Sequence, residues 1–187
     1  CLMILALPND YYRNVESIYV YPTTIFSPES SIGFFEVRTT PVRGPMPILG
    51  EAHHSGPVVL VWDAVKKETR HPEHGHNVVY HEFAHKLDML DGSADGTPPL
   101  TTPEDYQRWS DVCSKEYLEL CGKVKHGKPT FFDSYAATDE AEFFAVVTEY
   151  FFSKPENMKH HHPKLYQVLK DFYRQDPALK VFTNQLP

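Results

Sequence analysis

The sequence predicts an α+β fold in which helices outnumber strands, and three observations carry that reading. The first half holds two β-rich runs, Ser17–Tyr21 and Pro57–Trp62. From Asn77 onward the chain holds repeated helix-start signals, each followed by apolar residues at spacings of three and four. One of those helices carries His81-Glu82-Phe83-Ala84-His85, which puts two imidazoles on the same face one turn apart.

Taken in order, Ser17–Tyr21 alternates β-branched and aromatic side chains and ends at Pro22, the pattern of a strand. Residues 27–57 are rich in proline and glycine and read as a long loop with a short strand near Phe34–Thr39. Pro57–Trp62 is a continuous apolar run, expected to be a buried strand. A polar loop over residues 66–76 should follow. Asn77 is placed to cap a helix carrying Val79, Phe83, Leu87 and Leu90 on one stripe, with Gly92 as its stop. Thr102-Pro103-Glu104-Asp105 opens another helix, running to about Cys121. Thr138-Asp139-Glu140 caps a third, whose bulky apolar residues through Phe152 cover most faces and predict burial. Pro163 opens a final amphipathic helix with Leu165, Val168, Leu169 and Phe172.

A chain of 187 residues with 41% hydrophobic content can bury one substantial core, so a single domain over 1–187 is expected. The apolar runs Cys1–Leu7 and Pro57–Trp62 are too short to span a bilayer, and no basic stretch precedes the first. The chain opens on Cys1 inside an apolar run, which predicts a domain lacking its N-terminal segment. A net charge of −7 argues against direct binding to nucleic acid or to anionic membranes. Cys113 and Cys121 would lie about 12 Å apart along one helix, too far for a disulfide. They read as small buried side chains of a cytoplasmic protein.

The His-Glu-x-x-His pattern has a physical meaning. Imidazoles at i and i+4 can converge on one Zn²⁺, while Glu82, turned about 100° around the helix, flanks the metal and can act as a base. Such a site needs a third protein ligand and an open position for water. Glu142, Glu149, His126 and His160–His162 are all available, and spacing alone does not choose among them. Asp88, on the His81 face, could orient a ligand imidazole or be a solvated surface carboxylate; Glu149 could orient one or pair with a base. His71, His74 and His76, and the run His160–His162, read as exposed.

Four segments bring a family into view. His81-Glu-Phe-Ala-His-Lys-Leu-Asp-Met, Tyr135-Ala-Ala-Thr-Asp-Glu-Ala-Glu-Phe-Phe-Ala-Val-Val-Thr-Glu-Tyr-Phe-Phe, Gly50-Glu51-Ala52 and Gly56-Pro57-Val58-Val59-Leu60 resemble the Mlc titration factor A family of bacterial zinc peptidases. The Tyr-x₆-Glu spacing is also similar to the catalytic domain of anthrax lethal factor, a zincin. The resemblance covers nearly the whole chain and implies a zincin-like fold. It implies Glu142 as third ligand beside His81 and His85, one Zn²⁺ per chain, and Tyr135 beside the metal. It further implies that Val58, Val59 and Leu60 form an edge strand for an extended peptide substrate. His53-His54 departs from the aromatic residue expected after the Gly-Glu step, which bears on the substrate groove.

The activity implied is zinc-dependent peptide hydrolysis with Glu82 as base and Tyr135 as donor to the developing oxyanion, aminopeptidase or endopeptidase. The alternative is a regulatory module that binds a transcriptional repressor of the Mlc type. A deformylase-like hydrolase fits less well, because no ligand cysteine motif is present.

Overall fold

The computed structural model describes residues 3, 6–7, 11–23, 25–27, 46–48, 50–52 and 56–179. The strands are β1 (Val15–Tyr21), β2 (Ile25–Ser27), β3 (Met46–Ile48), β4 (Gly50–Ala52) and β5 (Gly56–Val61). The helices are α1 (Trp62–Arg70), α2 (Val78–Asp88), α3 (Pro103–Lys125), α4 (Glu140–Ser153), α5 (Pro155–His161) and α6 (Pro163–Tyr173). Short 3₁₀ turns occupy Pro72–His74, Met89–Asp91 and Ser134–Ala137. Helices dominate and the strands lie in the first half, an α+β arrangement.

The helix starts follow from local chemistry. Asn77 caps α2 by accepting from Tyr80 N–H, Thr102 caps α3 from Asp105 N–H, and Asp139 caps α4 from Glu142 N–H. Gly92, at φ 100°, ends the 3₁₀ extension of α2 in the left-handed region. Helix α4 is the centre of the core: every residue from Phe143 to Phe151 is buried. Helices α2, α3 and α6 pack around it, and Trp109 of α3 stacks edge-on against Phe144 and Phe172 at 5.6 and 5.8 Å.

Strand β5 is the middle of a three-stranded sheet ordered β1-β5-β4, parallel to β1 and antiparallel to β4. Helix α2 packs against β4 and β5 on one side and α4 on the other. The fully buried Lys86 donates from Nζ to Gly56 O at 3.3 Å, tying α2 to the start of β5.

Several expectations give way here. Val58, Val59 and Leu60 are not an edge strand: they are paired on one side with Ile18–Val20 and on the other with Gly50–Ala52. A run buried on both faces is what a central strand requires, and the edge nearest α2 among the described residues is β4. Part of the loop over 66–76 is helix α1, whose polar sequence buries only Ala64. On α2 the fully buried positions are Val78, Glu82, Ala84, Lys86, Leu87 and Asp88, so the stripe through Val79 and Phe83 is only half-buried. The short helix α5 and strands β2–β4 had no sequence signal, and α3 runs to Lys125 rather than Cys121. The expected strand near Phe34–Thr39 and the pair His53-His54 lie outside the described residues.

Candidate metal centre

Helix α2 sets the two imidazoles and α4 brings a carboxylate to them. His81 Nε2 and His85 Nε2 face each other at 3.2 Å. Glu142 Oε2 lies 3.0 Å from His81 Nε2 and 3.6 Å from His85 Nε2. Among the described residues, His81, His85 and Glu142 are the one group of three such side chains whose donor atoms converge closely enough for a metal ion. Glu142 sits in the first turn of α4, where the Asp139 cap and the positive end of the helix both favour a carboxylate.

Glu149, two turns further along α4, reaches the other side of the same ring. Its Oε1 lies 2.8 Å from His81 Nδ1, and its Oε2 accepts from the Asn77 N–H at the start of α2. Two carboxylates of one helix therefore address the two nitrogens of one imidazole. Burial works to lower the His81 ring, but Glu142 and then Glu149 hold it well above its ordinary value. Burial likewise works to raise the Glu142 carboxyl, and the His81 and His85 rings override it, leaving it well below the carboxylate range.

Glu82 is buried beside this group, and desolvation pushes its carboxyl up to about 7 against the pull of His81 and His85. Strand β4 makes the room for it. A Cβ at Gly50 would lie 2.7 Å from both Glu82 Cγ and Val78 Cγ2, and closer still to Glu82 Oε1. Tyr135, held by the Asp133-capped 3₁₀ turn, donates its hydroxyl to Glu142 Oε1 at 3.0 Å. The side chain is 47% exposed, and partial desolvation of its hydroxyl and then the Glu142 charge raise the phenol above its ordinary value.

The remaining candidates go elsewhere. Asp88 is fully buried, so it is no surface carboxylate. Its Oδ2 accepts from Gly96 N–H at 3.0 Å, which makes it an anchor for the loop after α2. His126 caps α3 against Gly122 O at 2.7 Å, away from the site. His160 and His161 are exposed as expected, but His162 is half-buried against Phe132 and pairs with Glu116 at 2.7 Å. His71 and His74 are exposed, and His76 lies 3.7 Å from Asp133. Cys113 and Cys121 are free thiols, both partly buried.

The model of the glucose-regulated metallo-peptidase M90 family matches residues 1–174. The chain belongs to the M90 family. Among M90-like relatives, an uncharacterized protein of Synechocystis sp. is 38% identical over 185 residues, 96% of this chain and 64% of that one. Mlc titration factor A of Serratia proteamaculans is 38% identical over 188 residues, covering 96% of this chain and 68% of its own. The Salmonella schwarzengrund protein of the same name is 31% identical over 193 residues, covering 98% and 68%. The chain thus spans about two thirds of the length of these relatives.

M90 membership suggests a metal, and the donor set can be tested for fit. Tetrahedral ligands about 2.0–2.1 Å from zinc stand roughly 3.3 Å apart. The separations here are 3.2, 3.0 and 3.6 Å. Glu142 Oε2 is buried without an aligned hydrogen bond, its near neighbours being the two imidazole Nε2 atoms, so a cation held between the three would satisfy it. The residues fit the metal.

Two residues beside this cluster were missed from sequence. Gly50 stood in a matched segment, but its role depends on the close pass of β4 over Glu82. Glu68, in the unforeseen helix α1, accepts from Val78 N–H at 2.6 Å, and no sequence spacing links it to α2.

Proposed function

We propose that this chain is a zinc-dependent peptidase of zincin-like fold, with His81, His85 and Glu142 as the protein ligands of one Zn²⁺. The convergence of these three donor atoms, two imidazole Nε2 and one buried carboxylate oxygen, carries the reading. Zinc, when bound, supplies a Lewis acid that polarises the scissile carbonyl and makes water acidic near neutral pH. Glu82, buried beside the two imidazoles, accepts the proton of the attacking water and delivers it to the leaving amine. Tyr135 turns its hydroxyl from Glu142 Oε1 to the carbonyl oxygen as negative charge grows there.

Replacing Glu82 with Gln tests the reading. The variant should keep its zinc and lose peptidase activity about 10²–10⁴-fold, measured on a peptide library that separates amino-terminal from internal cleavage. Equal cleavage by both proteins would contradict it.

A second reading rests on the name of the relatives, Mlc titration factor A. In it the chain binds a repressor of the Mlc type and acts by sequestration. Wild-type protein that cleaves nothing in the library yet binds such a repressor would favour it.

A further inference from the structure

The start of α2 is held from three directions. Asn77 Oδ1 takes the Tyr80 N–H from within the helix. Glu149 of α4 takes the Asn77 N–H while also touching His81 Nδ1. Glu68 of α1 takes the Val78 N–H at 2.6 Å. A single cap residue normally leaves such donors to water, so two carboxylates from separate helices are more than capping requires.

Glu68 and Glu149 approach from different elements, and α1 and α4 both pack on α2. Their like charges repel, and the positive end of α2 lying between them offsets that repulsion. Glu149 fixes the first turn toward α4 and Lys86 ties the last turns to Gly56 O of β5, while the Val78 N–H at the start of the helix is held from the side of α1 by Glu68. Side chains reach about 5–6 Å from a helix axis, so a rotation of roughly 10° moves an imidazole nitrogen by about 1 Å. The two separations to Glu142 of α4, 3.0 and 3.6 Å, would not survive such a shift, although the His81–His85 distance within α2 would. Glu68 supplies the second anchor, one turn before His81 and two before His85.

We infer that Glu68 is a positioning residue for the metal centre: by holding the Val78 N–H it sets the rotation of α2 and thereby brings His81 and His85 into register with Glu142. The inference rests on the zinc-site reading above.

The test is zinc affinity, by titration of the full chain against a chromogenic chelator, with the visible spectrum of the cobalt-substituted protein as a second readout. Glu68→Gln keeps an acceptor of the same reach and should stay within about threefold of wild type. Glu68→Asp keeps the charge but falls short of Val78, and with Glu68→Ala it should bind about tenfold more weakly or worse, with an altered cobalt spectrum. If Glu68→Ala fails to fold, the Gln and Asp variants decide. Aspartate at wild-type affinity, or glutamine as weak as aspartate, overturns the inference, as does alanine at wild-type affinity. Wild-type protein that takes up no zinc overturns the metal site itself, whereas zinc-binding wild type with unaffected variants overturns only the role of Glu68.

Discussion

Glu149 Oε1 lies 2.8 Å from Nδ1 of His81, on the far side of the ring from Glu142. A carboxylate in that position fixes the tautomer and leaves Nε2 free to face His85 and Glu142. The two glutamates therefore make separable contributions. Glu142→Ala should abolish zinc binding, because it removes one of three donors. Glu149→Ala should keep zinc with an affinity reduced about 10–100-fold. Competition titration of both variants checks this, and the reverse order would show that the ligand is Glu149.

Gly50 lies where any side chain would collide with the Glu82 carboxylate. Gly50→Ala should retain zinc, fold, and lose kcat by about 10²-fold as the base is displaced, with the cobalt spectrum unchanged. Steady-state kinetics beside metal analysis would show it. Unaltered kcat would mean that β4 yields instead of Glu82.

Asp88 gives a pH signature. Burial raises its carboxyl from 3.8 to about 6, against the lowering effect of the Gly96 N–H. A carboxyl whose folded value is raised contributes most below its unfolded value, and that contribution is lost as pH rises through about 6. Asn at this position is neutral throughout and still offers an oxygen to Gly96. Between pH 4 and pH 7.5 the stability difference should move in favour of Asp88→Asn by about 2 kcal/mol. Denaturant unfolding of the metal-free proteins at both values measures it. A pH-independent difference would contradict the burial effect.

Much of this was legible in the chain because the decisive chemistry was local. Asn77, Thr102 and Asp139 each cap a helix through a backbone N–H three residues away, and His81 and His85 share a face by helical geometry alone. The choice between Glu142 and Glu149 was not local. They lie on one helix and both reach His81, so only the orientation of the ring toward α4 separates them. Sheet order was also hidden: the apolar run of β5 says that it is buried, while its neighbours come from β1 and β4, distant in one case and signal-poor in the other. Helix α1 escaped notice because it is anchored mainly through Ala64 and through the Glu68 bond to α2, a contact between segments. The burial of Asp88 was not legible, because its partner, the Gly96 N–H, belongs to a loop whose path only the fold reveals.

The claim on which the rest depends is that His81, His85 and Glu142 hold one zinc ion. Elemental analysis of the purified chain after dialysis against a weak chelator tests it most directly. About one equivalent per chain is expected. Less than about a tenth of an equivalent in a chain that remains folded would contradict it.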